Sequence, residues 1–376
     1  MNVLMLTCQY MPDVYGGAEK QCWRLSKALV RHGINIRLIT SLQKNAARFD
    51  DDLPISRIYT GKAPDLLGRW FIFSSYWFFR VVIWGVIHRH SYDLVHCHQG
   101  KFGGFVGCFL GLLVKKPVLI KIGNSEQDMD FLCLKRKFFF GPLLFRFVLK
   151  RQPYVVAISQ VIARNLETAG FKNIIRIPNG IDVNELASCE IAERPAVNSD
   201  RINLFYHGRV ERIKRVHLLV DAMVCLKDSS VHLHIVGDGD ELGYVKGRIS
   251  DFGLEQQITV YGRVDNVLAS INNWDIFVNA SQSEGFSNSL LEALFLGKIL
   301  VSTNVSGCSE AIEVGVNGYI AKSESAKDIA AAIQAAIELH CTARNKAKKE
   351  SSRKVADVFD INLVAKRYIQ LYEEIS

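Results

Sequence analysis

Short apolar runs alternate along the chain with longer stretches in which apolar residues recur at helical spacing, and this alternation occurs twice. It is the pattern of parallel-sheet α/β domains. In the first half, Val3 to Thr7, Ile34 to Thr40, Leu94 to Cys97, Val118 to Ile122, Val155 to Ile158 and Ile174 to Ile177 read as strands, with helices between most of them. A helix opening near Ala18 is expected to stop at Gly33, since glycine readily takes the left-handed conformation that ends a helix. The pattern restarts at Ile202 to His207 and continues through Leu233 to Val236, Ile258 to Tyr261, Ile276 to Asn279, Ile299 to Ser302 and Tyr319 to Ala321. Two doubly wound lobes are thus predicted, joined around Pro178-Asn179-Gly180-Ile181-Asp182 and the polar stretch to Asp200. Roughly Arg344 to Ile375 carries one long helical pattern.

A chain of 376 residues is long enough for two such domains, each with its own core, and two lobes leave room for a cleft. The most apolar stretch, Trp70 to Ile87, approaches membrane-spanning length, but Arg80 sits at its middle, so it reads as a buried or membrane-facing helix. A second segment, Lys135 to Phe147, interleaves bases with aromatics as interfacial helices do; a core helix with a solvated basic edge fits equally well. The amino terminus has no basic leader and reads as a first strand. Nine scattered cysteines without paired spacing suit a reducing cytosol.

Charge divides the lobes. Through Arg176 there are 25 lysines and arginines against 11 aspartates and glutamates, a formal +14, and the remainder has 21 against 27, or −6. Because the basic residues are mixed with bulky apolar ones, an anionic membrane surface is favoured over nucleic acid as partner, with a plain solvated basic face as the alternative.

Candidate chemistry gathers at strand-to-helix junctions. Gly16-Gly17-Ala18-Glu19 can bring backbone N–H groups to an anion at a helix start, although two glycines also make an ordinary turn. His207-Gly208-Arg209 through Lys214 places two cations five residues apart beside a strand end, able together to neutralise a diphosphate. In Glu284-Gly285-Phe286-Ser287-Asn288, Ser287 or Asn288 can cap the helix that carries Glu292. The two carboxylates can then grip separate groups of hydroxyls. Asp128-Met129-Asp130, Asp238-Gly239-Asp240, His96 with His98, and His232 with His234 are weaker candidates for metal, and no metal is expected.

Taken together these residues resemble glycosyltransferase family 4, over nearly the whole chain and in the expected order. The matching elements are Gly16 to Glu19, Asp93 to His98, Ile177 to Asp182, Gly208-Arg209 through Lys214, Val236-Gly237-Asp238-Gly239, and the pair Glu284 and Glu292. The resemblance implies a GT-B fold: two Rossmann-like lobes, residues 1–178 on the acceptor side and 179–357 on the donor side, with a final helix near 358–376 crossing back. It implies transfer with retention from a nucleotide sugar, a uridine diphosphate sugar being preferred, to a glycan or lipid-linked acceptor in bacterial-type surface polysaccharide or glycolipid assembly. Arg209 and Lys214 would hold the leaving diphosphate, Glu292 the ribose, and Glu284 the sugar, with Gly285, Phe286, Ser287 and Asn288 alongside. His98 would sit beside the sugar, Gly16 and Gly17 would close over the diphosphate, and Arg263 and Val264 would border the base. No cofactor is implied, and the expected location is peripheral on the cytoplasmic face of the inner membrane. A nucleotide-sugar 2-epimerase or a catalytically silent binder on the same scaffold are the rival readings. Two departures from the family pattern stand out: Arg215 where a glycine is common, and Lys121-Ile122-Gly123-Asn124 where a histidine-containing strand end is usual.

Overall fold

The computed structural model describes residues 1–8, 10, 16–42, 53–59, 69–124, 130–137, 140–184, 201–226, 230–264 and 274–376. They form two compact units, Met1–Gly180 with Ile361–Ser376, and Ile181–Asp360.

In the first unit, β1 (Asn2–Leu6), β2 (Asn35–Leu42), β3 (Ile55–Tyr59), β4 (Leu94–Cys97), β5 (Val118–Ile122), β6 (Tyr154–Ala157) and β7 (Ile174–Arg176) make one sheet. Its order is β3-β2-β1-β4-β5-β6-β7, all parallel. The order reverses between β1 and β4, which opens a crevice at their C-terminal ends. Strands β4 and β5 are buried throughout, as helices on both faces require. The helices are α1 (Gly17–Arg31), α2 (Arg69–Ile87), α3 (Phe102–Val114), α4 (Asp130–Lys137), α5 (Gly141–Arg151) and α6 (Gln160–Thr168). Helix α1 ends as expected, with Gly33 at φ +83°. Helix α3 lies unusually close to the sheet: a Cβ on Gly107 would come 2.1 Å from the Cys97 sulfur.

Strand β3 has no counterpart in the sequence reading. It is short, lies at the sheet edge, and carries Arg57 in its middle, so it lacks the apolar run that marks its neighbours. Helix α2 occupies the apolar stretch around Arg80 and packs one side on α3, with Trp77 and Val81 buried and the Phe78 ring stacked 5.8 Å from Phe105. Among the described residues no helix is long and apolar enough to cross a membrane. The basic aromatic segment from Lys135 is not a single helix: α4 ends at Lys137, and α5 restarts at Gly141 with Pro142 in its first turn. Residues 138 and 139 lie outside the described residues.

The second unit holds β8 (Ile202–His207), β9 (Val231–Val236), β10 (Ile258–Gly262), β11 (Ile276–Asn279), β12 (Ile299–Ser302) and β13 (Gly318–Ile320) in the order β10-β9-β8-β11-β12-β13. The reversal here falls between β8 and β11. Helices α7 (His217–Leu226), α8 (Leu242–Asp251), α9 (Asn288–Phe295), α10 (Cys308–Ala311) and α11 (Ala326–Lys354) surround the sheet. Its core joins Leu204, Val220, Leu233, Ile276, Val301 and Ile333.

The last helical stretch differs from the sequence reading. Helix α11 runs from Ala326 but kinks at Ala343, whose backbone is non-helical, so a helical segment does start at Arg344; a π turn over Val355–Phe359 then separates it from α12 (Ile361–Ile375). At the break Asp360 is extended, and the Phe359 carbonyl accepts from the Ile181 N–H at 2.8 Å. Helix α12 belongs to the first unit, where Val364, Tyr368 and Tyr372 join Cys22, Leu25 and Leu29 of α1 in the core.

Candidate active site

The richest polar constellation of the second unit lies at its strand-order reversal. After β8 the chain turns through Gly208 and Arg209, makes a short 3-10 turn over Arg212–Lys214, and enters α7. After β11 it runs through Ala280 and Ser281 to Glu284, then into α9. The two loops meet: Lys214 Nζ pairs with Glu284 Oε1, both side chains being less than a fifth exposed. Ser281 Oγ lies 2.9 Å from the same carboxylate oxygen and 2.7 Å from Asn279 Oδ1, and the Gln282 N–H donates to the Ile213 carbonyl at 2.8 Å.

Glycine geometry makes the first loop possible. The turn after β9 packs on it backbone to backbone, so a Cβ on Gly237 would lie 1.7 Å from the Gly208 carbonyl oxygen and one on Gly239 2.3 Å from that of Val210. Hydrogen bonds from Gly208 N to Val236 O (3.0 Å) and from Val210 N to Asp238 O (2.9 Å) fix this contact. Gly237 also donates to the Gly262 carbonyl at 2.8 Å, which ties in the end of β10 just before the exposed Arg263 and Val264.

Ser287, rather than Asn288, caps α9: its hydroxyl accepts from the Leu290 N–H at 3.3 Å. Phe286 is buried, its ring 5.3 Å from that of Phe359, and the Gly285 carbonyl packs against Gly307. On α9 Glu292 is 1% exposed, and its carboxylate lies 3.3 Å from His207 Nε2 at the end of β8. Arg209 points elsewhere: its guanidinium is 62% exposed and pairs with Glu211 at 2.6 Å, while its carbonyl accepts from the Tyr206 hydroxyl. Lys214, Glu284 and Glu292 are thus held at one end of the sheet, and Arg209 sits at its rim.

In the first unit, Gly16 precedes α1 in extended conformation and Gly17 opens it, both following β1. His98 follows β4 and is buried, its N–H donating to the Leu6 carbonyl at 2.9 Å. These residues therefore mark the corresponding reversal of that sheet. Burial, then Lys121 and His96, hold the His98 imidazole well below its usual pKa, so it is neutral. His96, stacked 5.3 Å from it and bonded through Nδ1 to the Tyr372 hydroxyl, is lowered to about 3, chiefly by burial. Burial also lowers Lys121 to about 8.

The weaker metal candidates acquire other partners. His232 Nε2 lies 2.8 Å from the Thr259 hydroxyl, and His234 bridges Tyr261 and Asn203 at 2.9 Å each. Asp238 accepts from the Gly239 N–H at 2.8 Å. Asp130 accepts from Gly100 N at 3.0 Å, with its pKa raised by burial; Asp128 and Met129 lie outside the described residues. Among the described residues no three His, Cys, Asp or Glu side chains cluster as a metal site.

Sequence reasoning named His207 within its motif but not its contact with Glu292, and it missed Ser281 and the contacts of Arg215, whose guanidinium reaches Ala280, Ser281 and Glu324. Of Ser281 and Arg215, only Arg215 left a trace in the sequence, as a bulky residue where a glycine is common.

Comparison with known proteins matches residues 15–185 to "Glycosyltransferase Family 4" and residues 189–354 to "Glycosyl transferases group 1". An uncharacterized glycosyltransferase of Methanocaldococcus jannaschii is 27% identical over 281 residues, 69% of this chain and 70% of that one. The phosphatidylinositol N-acetylglucosaminyltransferase GPI3 subunit of Saccharomyces cerevisiae is 24% identical over 391 residues, 100% of this chain and 83% of that protein. Among solved structures, Anabaena HepE in complex with UDP superimposes with a TM-score of 0.76 at 19% identity, covering all of both chains. At that identity the likeness concerns the fold.

Proposed function

This chain belongs to the family 4, group 1 glycosyltransferases of GT-B fold, and from that premise we propose that it moves a sugar from a uridine diphosphate sugar to a glycan or lipid-linked acceptor, with retention. The observation that carries the reading is the Lys214–Glu284 contact at the strand-order reversal, with Glu292 one helix turn-pair further on. Uridine is favoured because HepE is described with UDP and with UDP-glucose. A lipid-linked acceptor is favoured because the yeast relative is named for phosphatidylinositol.

In this reading Lys214 and Arg209 neutralise the diphosphate as charge develops on it, Glu292 binds the ribose, and Glu284 orients the sugar beside Gly285, Phe286, Ser287 and Asn288. The glycosidic bond to the diphosphate breaks first, leaving an oxocarbenium-like sugar. The departing phosphate then takes the acceptor hydroxyl's proton as that oxygen bonds to the same face. Fixed cations at the leaving group stabilise the transition state more than the ground state, so no protein nucleophile is required. The two-carboxylate glycosidase scheme fits poorly, since Glu292 serves the ribose. Gly16, Gly17 and His98 of the first unit take part in turnover, Arg263 and Val264 border the base, and the reaction proceeds without a protein-bound metal.

The first unit docks on an anionic membrane. Support comes from exposed Phe79, Ile83 and Ile87 of α2 and Leu143 of α5, beside exposed Arg80, Arg146 and Lys150. The test of the whole reading is incubation with UDP-glucose or UDP-N-acetylglucosamine, with and without a lipid extract. Sugar moved to lipid or glycan supports it; an epimerised donor formed without acceptor overturns it in favour of the 2-epimerase.

A further inference from the structure

Lys214 is followed by a residue whose backbone is made for glycine. Arg215 has φ +48°, in the left-handed region that a Cβ disfavours. The explanation for arginine there must come from its side chain. That side chain is only 14% exposed and spends its donors on two separate loops. Nε donates to the Ala280 carbonyl and Nη2 to the Ser281 carbonyl, each at 3.1 Å, and Nη1 pairs with Glu324 in the loop after β13. Two neighbouring guanidinium N–H groups on two successive carbonyls form a fork that a lysine ammonium cannot reproduce.

The segment so gripped is the one that delivers Glu284. Ser281 is its pivot: its carbonyl takes Arg215 Nη2 and also the Thr303 hydroxyl at 2.7 Å, while its own hydroxyl lies 2.9 Å from Glu284. From the other end, Lys214, the residue before Arg215, pairs with Glu284 directly. One short stretch, Lys214-Arg215, therefore holds the loop at its base through main-chain carbonyls and at its tip through the carboxylate.

We propose that Arg215 is a positioning residue for donor-sugar recognition, fixing the Ala280–Ser281 segment so that Glu284 stays in register with Lys214. This rests on the donor-site reading above, in which Glu284 meets the sugar. Displacement of such a loop by an ångström weakens a carboxylate–hydroxyl contact while leaving the ribose contact, on a separate helix, in place.

The readout is sugar discrimination, the Kd for UDP divided by the Kd for whichever of UDP-glucose and UDP-N-acetylglucosamine binds more tightly, measured by titration calorimetry. Glycine at 215 relieves the left-handed backbone, so Arg215→Gly is the variant expected to fold, with Arg215→Lys beside it and thermal melts as a check. Both variants are expected to lower the ratio about ten-fold, the scale of one charge-assisted hydrogen bond. Failure of lysine to rescue points to the fork rather than the charge. In a Glu284→Ala background, Arg215→Gly should change the ratio by less than about two-fold, because the two residues act through one contact. An unchanged ratio in Arg215→Gly and Arg215→Lys, with Glu284→Ala lowering it, overturns the inference alone; an equal loss in the Glu284→Ala background does the same. If Glu284→Ala leaves the ratio unchanged, or the wild type binds no probe, the donor-site reading falls and takes the inference with it.

Discussion

The carbonyl oxygen of Gly208 lies 1.7 Å from where a Cβ on Gly237 would be placed. The loop that carries Arg209 and Lys214 can thus reach its position only over a residue without a side chain. Gly237 also has φ +145°, so alanine would meet both a backbone clash and an unfavourable conformation. Gly237→Ala is expected to destabilise the second unit by about 3 kcal/mol or more, from overpacking plus strain. Chemical denaturation followed by a probe in that unit checks it; a loss below about 1 kcal/mol would show that the two turns part easily.

The pH dependence of stability follows from the buried histidines. His96, at about 3 in the folded protein against an ordinary value near 6.5, stays neutral when folded but takes a proton when unfolded. Between these values the unfolded state binds more protons, so stability is present above pH ~6.5 and is lost as pH falls toward about 3. His98, shifted the same way, adds to it. The slope contributed by each is at most about 1.4 kcal/mol per pH unit. Lys121, lowered to about 8, makes stability rise as pH increases from about 8 to about 10.5, the ordinary lysine value. Thermal melts from pH 7 to 4 should show a shallower decline in His96→Asn than in the wild type; parallel curves would contradict the assignment.

Much of the fold was legible because the strands buried on both faces announce themselves: Leu94 to Cys97, Val118 to Ile122 and Ile299 to Ser302 are short, mainly apolar runs in sequence, despite His96, Lys121 and Ser302, and buried strands in the structure. Strand β3 was not legible, since an edge strand with Arg57 at its centre looks like loop. The break before α12 was hidden for another reason. Nothing between Arg344 and Ile375 is glycine or proline; the interruption coincides with the pairing of Ile181 and Asp360, a contact between residues far apart in the chain. The site divides the same way. Arg209, Lys214, Glu284 and Glu292 stand in local motifs, whereas the partners of Arg215 are 65 to 109 residues away, and His207 of β8 meets Glu292 of α9 across 85 residues of sequence.

Membrane docking predicts that the isolated protein sediments with phosphatidylglycerol-containing vesicles and that binding weakens with salt. Replacing Phe79 and Ile83, 60% and 55% exposed, by glutamate should reduce binding at least about ten-fold, through lost apolar contact and charge repulsion. Equal partitioning into neutral and anionic vesicles, or no effect of the substitutions, would count against this surface.

Removing Glu292 should act on the nucleotide rather than on the sugar. Glu292→Ala is expected to weaken UDP by about ten- to a hundred-fold, the range for hydrogen bonds to a charged group, and to raise KM for the donor with little change in kcat. A fall in kcat at constant KM would reassign Glu292 to the chemical step.

The central claim, that Lys214 serves the leaving diphosphate, is tested most directly by single-turnover transfer from a saturating UDP-sugar donor to acceptor lipid in the wild type and Lys214→Ala. Loss of a fixed cation at the departing group predicts a rate lowered by about a hundred- to a thousand-fold. A rate within about three-fold of the wild type, less than 1 kcal/mol of transition-state stabilisation, would contradict it.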